Sequence, residues 1–378
     1  FHDNLMEILG RENKKRLLLE IANSPQPVVV NSSLWRKVQV SKSTGYRYLK
    51  ELEEAGFIRA RKKSLRQTLV ETEKNIIANI QAAEKHPPEI YIRDGQKIVI
   101  LQNIKSHCES LWQKRGGFYG SYPFHGIGHV EAVVSSLDKL LTVLRRTPSA
   151  LNETETLVLL AAAWTHEIGL LPLEEDEDAT DDERRLSHPQ RAYEYICEHP
   201  DVFGGAHMAH MIALVAKAHR EVPFASGGYR DIMYGGEIVR LRFLSALLRL
   251  SEELAVGTNK MAKIFSVISD PHRPELSRAS REVILQWARN IYTSGIRLEH
   301  RITHQTTHIR MSVFTEVPFS EYYRYVVEPL ILRPLQRAVL DTYHAFAENN
   351  VILDTHIASS YILNPALESL PFEIYSSL

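Results

Sequence analysis

The sequence predicts a mainly α-helical protein in three parts: a basic head, a central helical bundle and a small C-terminal α+β appendage. Apolar residues recur three and four positions apart in many segments, as in amphipathic helices. Strand-like alternation appears in short segments, within residues 90–101 and 294–315. Residues 1–66 carry fourteen basic and seven acidic side chains, whereas the remainder carries 31 basic and 39 acidic ones. The head alone therefore suits an anionic partner such as nucleic acid.

Length and composition are those of a soluble globular protein. The 378 residues suffice for two or three domains, and 44% hydrophobic with 24% charged residues is an ordinary balance. No stretch approaches the ~18 uncharged apolar residues of a membrane helix, and residues 1–20 lack the apolar core of a signal peptide. Cys108 and Cys197 show neither a disulfide framework nor metal-type spacing. We expect a cytoplasmic protein without a membrane partner, and Phe1 in place of methionine suggests that a longer natural chain precedes it.

The basic head, residues 1–70, is predicted to contain three helices followed by an extended basic segment. Residues 13–23 carry apolar side chains at helical spacing, and residues 31–33 can cap a short second helix. Ser41 can cap a third helix, which Gly56 is expected to end because glycine accepts the left-handed conformation there.

This head resembles the winged helix-turn-helix domains of bacterial regulators. The resemblance rests mainly on TGYRYLKELEEAGFI, residues 44–58, and covers about residues 10–70. It implies a helix in the major groove and a basic wing on phosphates. The expected DNA contacts are Lys42, Thr44, Arg47, Lys50, Arg61, Lys62 and Lys63. A homodimer follows if the head reads a palindrome; the alternatives are a winged helix used for dimerisation or as an inert spacer.

A connector is predicted between the head and the bundle. Residues 68–91 are expected to form a helix that ends at Pro87 and Pro88, since consecutive prolines break helices. Apolar and polar residues alternate within residues 90–101 on either side of Asp94 and Gly95, which predicts a β-hairpin. The bundle would then begin near residue 102.

Five predicted helices between residues 125 and 253 each carry an imidazole or a carboxylate. In order, these side chains are His129, His166 with Glu167, His188, His219 and Glu252. One histidine at a helix end is usually structural or exposed. Several histidine and glutamate side chains on apolar helices need a binding partner, because each buried polar group left unpaired costs ~1–3 kcal/mol. A divalent metal ion would be such a partner. Locally, Gly169 is expected to end the helix before it, and Ser187 to cap the next one with Pro189 in its first turn.

The same series resembles the pattern H…HD…H…H…D of the HD metal-dependent phosphohydrolases. The motifs are HVEAVV, AAAWTHEIG, SHPQRAYEYI, AHRE and LLRLSEELA, within about residues 125–256. The resemblance implies a first metal bound by His129, His166, Glu167 and Glu252. It implies a second metal bound by His188, His219 and a bridging Glu167. One or two ions of Mn, Fe, Ni, Co or Zn suit such ligands.

The resemblance also implies a reaction. Two metals activate water near neutral pH and stabilise charge on a phosphoryl group, with His166 and Glu167 at the catalytic centre. The expected substrate is a nucleotide, a cyclic nucleotide or a nucleic-acid phosphodiester. His125, Arg191 and Arg220 are candidate phosphate contacts, and His210 is a reserve ligand.

The series departs from the family pattern in ways that leave two functions open. Glu167 and Glu252 replace aspartates, Ala255 stands where a further aspartate is frequent, and Leu170 stands where a lysine often follows. A 1 Å misplacement can cost a reaction ~100-fold. The first hypothesis is an HD-type phosphohydrolase with a DNA-binding head. The second is a DNA-binding transcriptional regulator whose HD domain senses a nucleotide or a metal with little or no catalysis.

The acidic run at residues 174–183 is expected to be a solvated loop, with a lid as the alternative. In the C-terminal part we expect a helix, a hairpin, a long helix broken near its prolines and a packed tail, over residues 281–291, 294–315, 318–349 and 351–378. This part would serve dimerisation or shape a ligand site. His300, His304 and His308 would form a metal cluster only if the register of the two hairpin strands happened to bring them together. The predicted segments are therefore residues 1–70, 71–101, 102–260 and 261–378.

Overall fold

A computed structural model describes most of the bundle and appendage and part of the head. The described residues are 17, 21, 28–30, 32–54, 58–64, 67–72, 91–115, 126–145, 147–173, 181–220, 227–256 and 292–364. The chain divides into two compact units, Phe1–Pro87 and Pro88–Leu378, and each is described by itself. Within the described residues, every helix is too short or too polar to cross a bilayer.

The first unit combines short helices with a three-stranded antiparallel sheet. Its elements are β1 (Val28–Val29), α1 (Ser32–Lys37), α2 (Lys42–Glu54), β2 (Ile58–Ser64) and β3 (Gln67–Thr72), with strand order β1-β3-β2. Ser41 caps α2 as expected, because its Oγ accepts a hydrogen bond from the Thr44 N–H at 3.2 Å. Gly45 is required where α2 meets α1, since a Cβ there would lie 2.4 Å from the Trp35 ring.

The predicted connector helix is wrong at its start. Residues 68–72 belong to strand β3, which pairs with both β1 and β2. Threonine and valine at Thr68, Val70 and Thr72 favour a strand once a partner strand is beside them. Gly56 and the two prolines of the connector lie outside the described residues.

The second unit contains a helical bundle arranged around one buried helix. Its helices are α3 (Gly95–Arg115), α4 (Ile127–Leu144), α5 (Glu153–Thr165), α6 (Asp181–Glu198), α7 (Ala206–Lys217) and α8 (Leu241–Leu254). Helix α5 packs against α3, α4, α7 and α8. Its run Ala161–Ala163 is fully buried, and small side chains there let neighbouring helices approach closely. Asn152 and Glu155 form a capping box that starts α5.

The predicted hairpin at residues 90–101 is wrong, since these residues lead into α3. Asp94 accepts hydrogen bonds at its Oδ1 from the N–H groups of Gln96 (2.8 Å) and Lys97 (3.4 Å). Aspartate followed by glycine therefore starts a helix here instead of making a turn. A short hairpin does occur between α7 and α8, where β4 (Ile232–Tyr234) pairs with β5 (Glu237–Val239) across two glycines with positive φ.

The predicted cap at Ser187 is also wrong. Helix α6 begins six residues earlier, at Asp181, so the end of the acidic run is helical; residues 174–180 lie outside the described residues. Ser187 lies inside α6 and donates its hydroxyl to the Glu183 carbonyl at 2.7 Å. Pro189 lies inside α6 as well. A serine two residues before a proline is typical of a helix start, but the same residues also occur here inside a helix, so the local pattern does not distinguish the two positions.

The C-terminal part is a four-stranded sheet covered by a long helix. The predicted hairpin is present as β6 (Thr293–Thr303) and β7 (Thr306–Val317), and β8 (Val351–Leu353) and β9 (Ala358–Leu363) both pair with β7 in parallel. The helix runs as α9 (Ser320–Tyr322), a π-helix (Tyr323–Leu332) and α10 (Arg333–Ala347). Pro329 lies inside the π-helix and Pro334 in the first turn of α10, so the helix continues through both prolines instead of breaking. Helix α10 packs on α8 of the bundle, and residues 281–291 lie outside the described residues.

Candidate metal centre

The bundle brings together the six histidine and glutamate side chains that the sequence analysis selected. They form one group of His129, His166, Glu167 and Glu252, and a second group of Glu167, His188 and His219. Within each group the ligand atoms lie within 4.8 Å of one another. Among the described residues, these are the groups of three or more such side chains that could hold a metal ion.

Backbone carbonyls fix the orientation of three imidazoles. Nδ1 of His166 lies 2.8 Å from the Ala163 carbonyl, and Nδ1 of His188 lies 2.6 Å from the Arg185 carbonyl. Nδ1 of His219 lies 2.7 Å from the Ala216 carbonyl. Because a carbonyl only accepts, each Nδ1 must donate its proton, and each neutral ring keeps a lone pair on Nε2. This is the tautomer in which histidine binds a metal through Nε2.

The three carbonyls lack the usual N–H partner four residues further on, although the Ala216 carbonyl also accepts a long bond of 3.4 Å from the His219 N–H. Ala163 and Ala216 lie in the last turns of α5 and α7, where carbonyls lack a partner four residues on. Arg185 is in the interior of α6, but the residue four positions on is Pro189, which has no N–H. The Arg185 carbonyl therefore accepts from the His188 ring instead.

The lone pairs converge on one carboxylate oxygen. Oε1 of Glu167 lies 3.7 Å from Nε2 of His166, 3.8 Å from that of His188 and 4.0 Å from that of His219. Nε2 of His188 and Nε2 of His219 are 2.9 Å apart. Two lone pairs at this distance repel each other, and a cation bound by both would remove the repulsion. The separation matches the ~3 Å between adjacent ligand atoms on an ion with bonds of ~2.1 Å.

Burial keeps bulk water away from this part of the centre. His166 and His188 are 0% exposed, and Glu167 and His219 are 1% exposed. Burial lowers the pKa of His219 well below its usual value, and the imidazoles of His166 and His188 lower it further, against the opposing charges of Glu167 and Glu252. His219 is therefore a neutral ligand-competent ring at physiological pH. We call Glu167, His188 and His219 the buried group.

The other end of the centre is less deeply buried. Nε2 of His129 lies 3.0 Å from Oε1 of Glu252, and Nε2 of His166 lies 3.3 Å from Oε2 of the same carboxylate. The His129 and Glu252 side chains are 16% and 21% exposed. Burial raises the pKa of Glu252, but the charges and hydrogen bonds of His129 and His166 outweigh it, so the pKa lies well below its usual range. We call His129 and Glu252 the accessible pair.

A buried ion pair holds together the helices that carry His166 and Glu252. Arg240, at the start of α8, donates from Nε to Oε1 of Glu155 at 2.7 Å and from Nη2 to Oε2 at 2.7 Å. The same guanidinium donates to the Ala150 carbonyl and to the Asn349 side chain, each at 3.0 Å. Sequence reasoning missed this pair, because its members are 85 positions apart and no local pattern joins them.

Gly169 has a packing role next to the centre. It lies in the 3₁₀ turn Ile168–Leu170, which follows the end of α5 at Thr165. A Cβ at residue 169 would lie 2.1 Å from the His188 carbonyl oxygen and 2.7 Å from the Ala192 nitrogen. The absence of a side chain therefore lets the turn carrying Glu167 touch the helix carrying His188.

A comparison with family models gives the relationship of this chain to known proteins. The HD-CE model matches residues 114–338, which is more than half of the 378 residues. The chain belongs to the HD-CE family. Searches of curated proteins and of solved structures gave no match. The HD-CE match contains all six residues of the centre and continues through β6 and β7 into α10, so it extends beyond the resemblance at residues 125–256.

The remaining predicted site residues of this HD-CE chain lie in different settings. The guanidinium of Arg191 donates to the Gly169 and Leu171 carbonyls. Arg220 is exposed at the end of a described segment, and His125 lies outside the described residues. His210 is exposed, with Nδ1 3.3 Å from the Tyr193 hydroxyl, and neither group of the centre includes it.

The strand histidines of the C-terminal sheet form no such group among the described residues. His300 pairs with Ile309 and His308 pairs with Arg301, so the two rings lie on opposite faces of the hairpin. His304 is in the turn with a φ of 56°. The register therefore separates the histidines.

Proposed function

We propose that this HD-CE protein is a metal-dependent phosphohydrolase or phosphodiesterase of the HD type. The proposed substrate is a nucleotide, a cyclic nucleotide or a nucleic-acid phosphodiester. The observation that supports it is the set of three imidazoles whose Nδ1 protons are bound to carbonyls and whose Nε2 atoms surround Glu167. Histidine and carboxylate ligands favour Mn, Fe, Co, Ni or Zn, bound as one or two ions.

The buried and the partly exposed side chains would have different roles in the reaction. Divalent ions bound here would activate water and stabilise charge on a phosphoryl group. Glu167 would contribute to both ion sites because it belongs to both groups, whereas His166 would bind with His129 and Glu252 in the first. His129 and Glu252 are the partly exposed members, so substrate and water would approach from their side. The buried His188 and His219 rings would hold the inner ion away from bulk water.

Metal content is the first test. Protein purified without chelator should contain one to two equivalents of transition metal per chain by elemental analysis. Less than about half an equivalent would contradict the proposal, because a preassembled site of neutral histidines should retain its ion. His207→Ala, an exposed histidine of α7, is the matched control and should retain the wild-type content.

Turnover is the second test. Release of phosphate or nucleotide should be measured on a panel of nucleotides and cyclic nucleotides with added Mn²⁺. His166→Ala should abolish it, because this ring is fully buried and is a ligand candidate of the group that also contains His129, Glu167 and Glu252. An unchanged rate in His166→Ala would assign the activity to a contaminant.

A second function is favoured by the accessible pair. Glu252 lies between His129 and His166, at 3.0 Å and 3.3 Å from their Nε2 atoms, so the carboxylate already fills the space between two rings that would bind an ion. A DNA-binding regulator that senses a metal or nucleotide, with little or no turnover, would suit such a closed arrangement. Glu252→Asp shortens the side chain by one methylene and should separate the proposals. A wild type that is inactive, with an active Asp variant, would favour the regulator.

We also propose that the head is a winged helix that binds DNA, that the protein is a homodimer, and that it works in the cytoplasm. Lys42, Arg47 and Lys50 are exposed on α2 and Thr44 is half-buried there, while the β2–β3 hairpin contains Arg61, Lys62 and Lys63. Lys42→Ala should reduce the slope of log affinity against log salt by about 0.9 in a DNA mobility-shift assay. Lys139→Ala, on exposed α4 surface, is the control. Binding that does not weaken with salt would contradict this proposal.

A further inference from the structure

The geometry points to Arg191 as a positioning residue of the metal centre, which sets the Glu167 carboxylate against the His188 imidazole. This inference rests on the proposed function, since it concerns the ion that the buried group would hold. It replaces the phosphate contact that the sequence suggested for this arginine.

The contacts of Arg191 join the two elements that carry these ligands. Arg191 lies on α6, three residues after His188. Its Nε donates to the Gly169 carbonyl at 2.7 Å, and its Nη2 donates to the Leu171 carbonyl at 3.0 Å. Both carbonyls belong to the turn that follows Glu167. Because the guanidinium is planar and rigid, the two hydrogen bonds fix the angle of the turn as well as its distance from α6.

Close backbone contact beside these two hydrogen bonds leaves little room for the turn to move relative to α6. The turn approaches α6 so closely that a Cβ on Gly169 would collide with the His188 carbonyl. Glu167 is two residues before the contact and His188 forms part of it. The distance of 3.8 Å between Oε1 of Glu167 and Nε2 of His188 therefore follows from the way in which the turn is fastened to the helix.

A phosphate contact would require a different state of the side chain. The guanidinium would have to move away from the carbonyls of two buried residues, Gly169 and Leu171, which would then lose these hydrogen bonds. A lysine could supply charge for phosphate but could not span both carbonyls in one plane. The two roles therefore predict different behaviour for Arg191→Lys.

The test is a Mn²⁺ titration of the metal-free full-length protein, followed by calorimetry and electron paramagnetic resonance. The wild type should bind two ions and give the multiline signal of a coupled pair. Arg191→Met and Arg191→Lys should bind the ion of the buried group about 10- to 100-fold more weakly, as outer partners of metal ligands do when removed. Both should lose the coupled signal at stoichiometric Mn²⁺. Ethylguanidine should restore that signal in Arg191→Ala.

The control is Arg242→Met, which removes a guanidinium that bridges α8 to Glu348 at 3.1 Å, away from the ligands. This variant should bind Mn²⁺ with the wild-type affinities and stoichiometry. Wild-type Mn²⁺ affinity in Arg191→Met, or normal binding in Arg191→Lys with weaker binding of inorganic phosphate, would overturn the positioning role. Failure of all three Arg191 variants to fold would overturn it as well, because the guanidinium would then support the fold. A wild type that binds no Mn²⁺ would instead contradict the proposed function.

Discussion

The buried group and the accessible pair contain the same kinds of side chain but are held in different ways. In the buried group, backbone carbonyls orient His188 and His219, and the surroundings exclude water. In the accessible pair, the His129 imidazole and the Glu252 carboxylate contact each other, with Nε2 and Oε1 3.0 Å apart. An ion entering the buried group finds ligands already in place, whereas an ion at the accessible end must first separate two partners. Preorganisation lowers the cost of binding, so the buried group should fill first.

Glu167→Gln should have the largest effect, because it removes the charge that both groups share. We expect both Mn²⁺ affinities to fall by more than the ~10- to 100-fold typical of outer partners. Calorimetric titration of metal-free protein measures this directly. Glu131→Gln changes an exposed glutamate of α4 and should bind as the wild type does. If Glu167→Gln lost only one ion, the carboxylate would not be shared.

Acid should act on the buried group before it acts on the accessible pair. The pKa of His219 is lowered by folding, so the unfolded chain takes up a proton below ~6.5 while the folded chain does not. The stability of the metal-free protein should thus be complete above pH ~6.5. It should fall by up to ~1.4 kcal/mol per pH unit below that.

The pKa of Glu252 is also lowered, but an unfolded glutamate titrates near ~4.3, so this contribution is lost only at lower pH. Urea unfolding at pH 7.5, 6.5 and 5.5 would test the difference. His219→Gln should show a flatter dependence than the wild type over this window, and equal slopes would remove His219 as the cause.

The sequence predicted the parts of the centre that local patterns record. Each ligand lies at a helix end or beside a proline, and the order of His129, His166, His188 and His219 along the chain was enough to select them. The alternation of apolar and polar residues likewise predicted the β6–β7 hairpin. These features depend on neighbours within a few positions, which a single sequence displays.

The features that the sequence did not predict depend on tertiary contacts or on ambiguous local signals. Asp94-Gly95 can make a turn or start a helix, and packing of α3 on α5 favours the helix. Arg191 was only a candidate phosphate contact, and the two carbonyls that its guanidinium binds come from a turn 20 and 22 positions away. The pair of Glu155 and Arg240 joins two helices in the same way.

Pro189→Ala should give the smallest effect and the most distinctive one. The new N–H at residue 189 can bond the Arg185 carbonyl, which now accepts from Nδ1 of His188 at 2.6 Å. Helix α6 should gain up to ~3 kcal/mol of stability in urea unfolding of the metal-free protein, since proline inside a helix costs about that much. The His188 ring should lose its fixed orientation, so Mn²⁺ affinity of the buried group should fall about three- to tenfold. Ser187→Ala raises helix propensity without touching that carbonyl, and its affinity should not change. If Pro189→Ala stabilised the chain and left metal binding intact, the proline would have no part in holding His188.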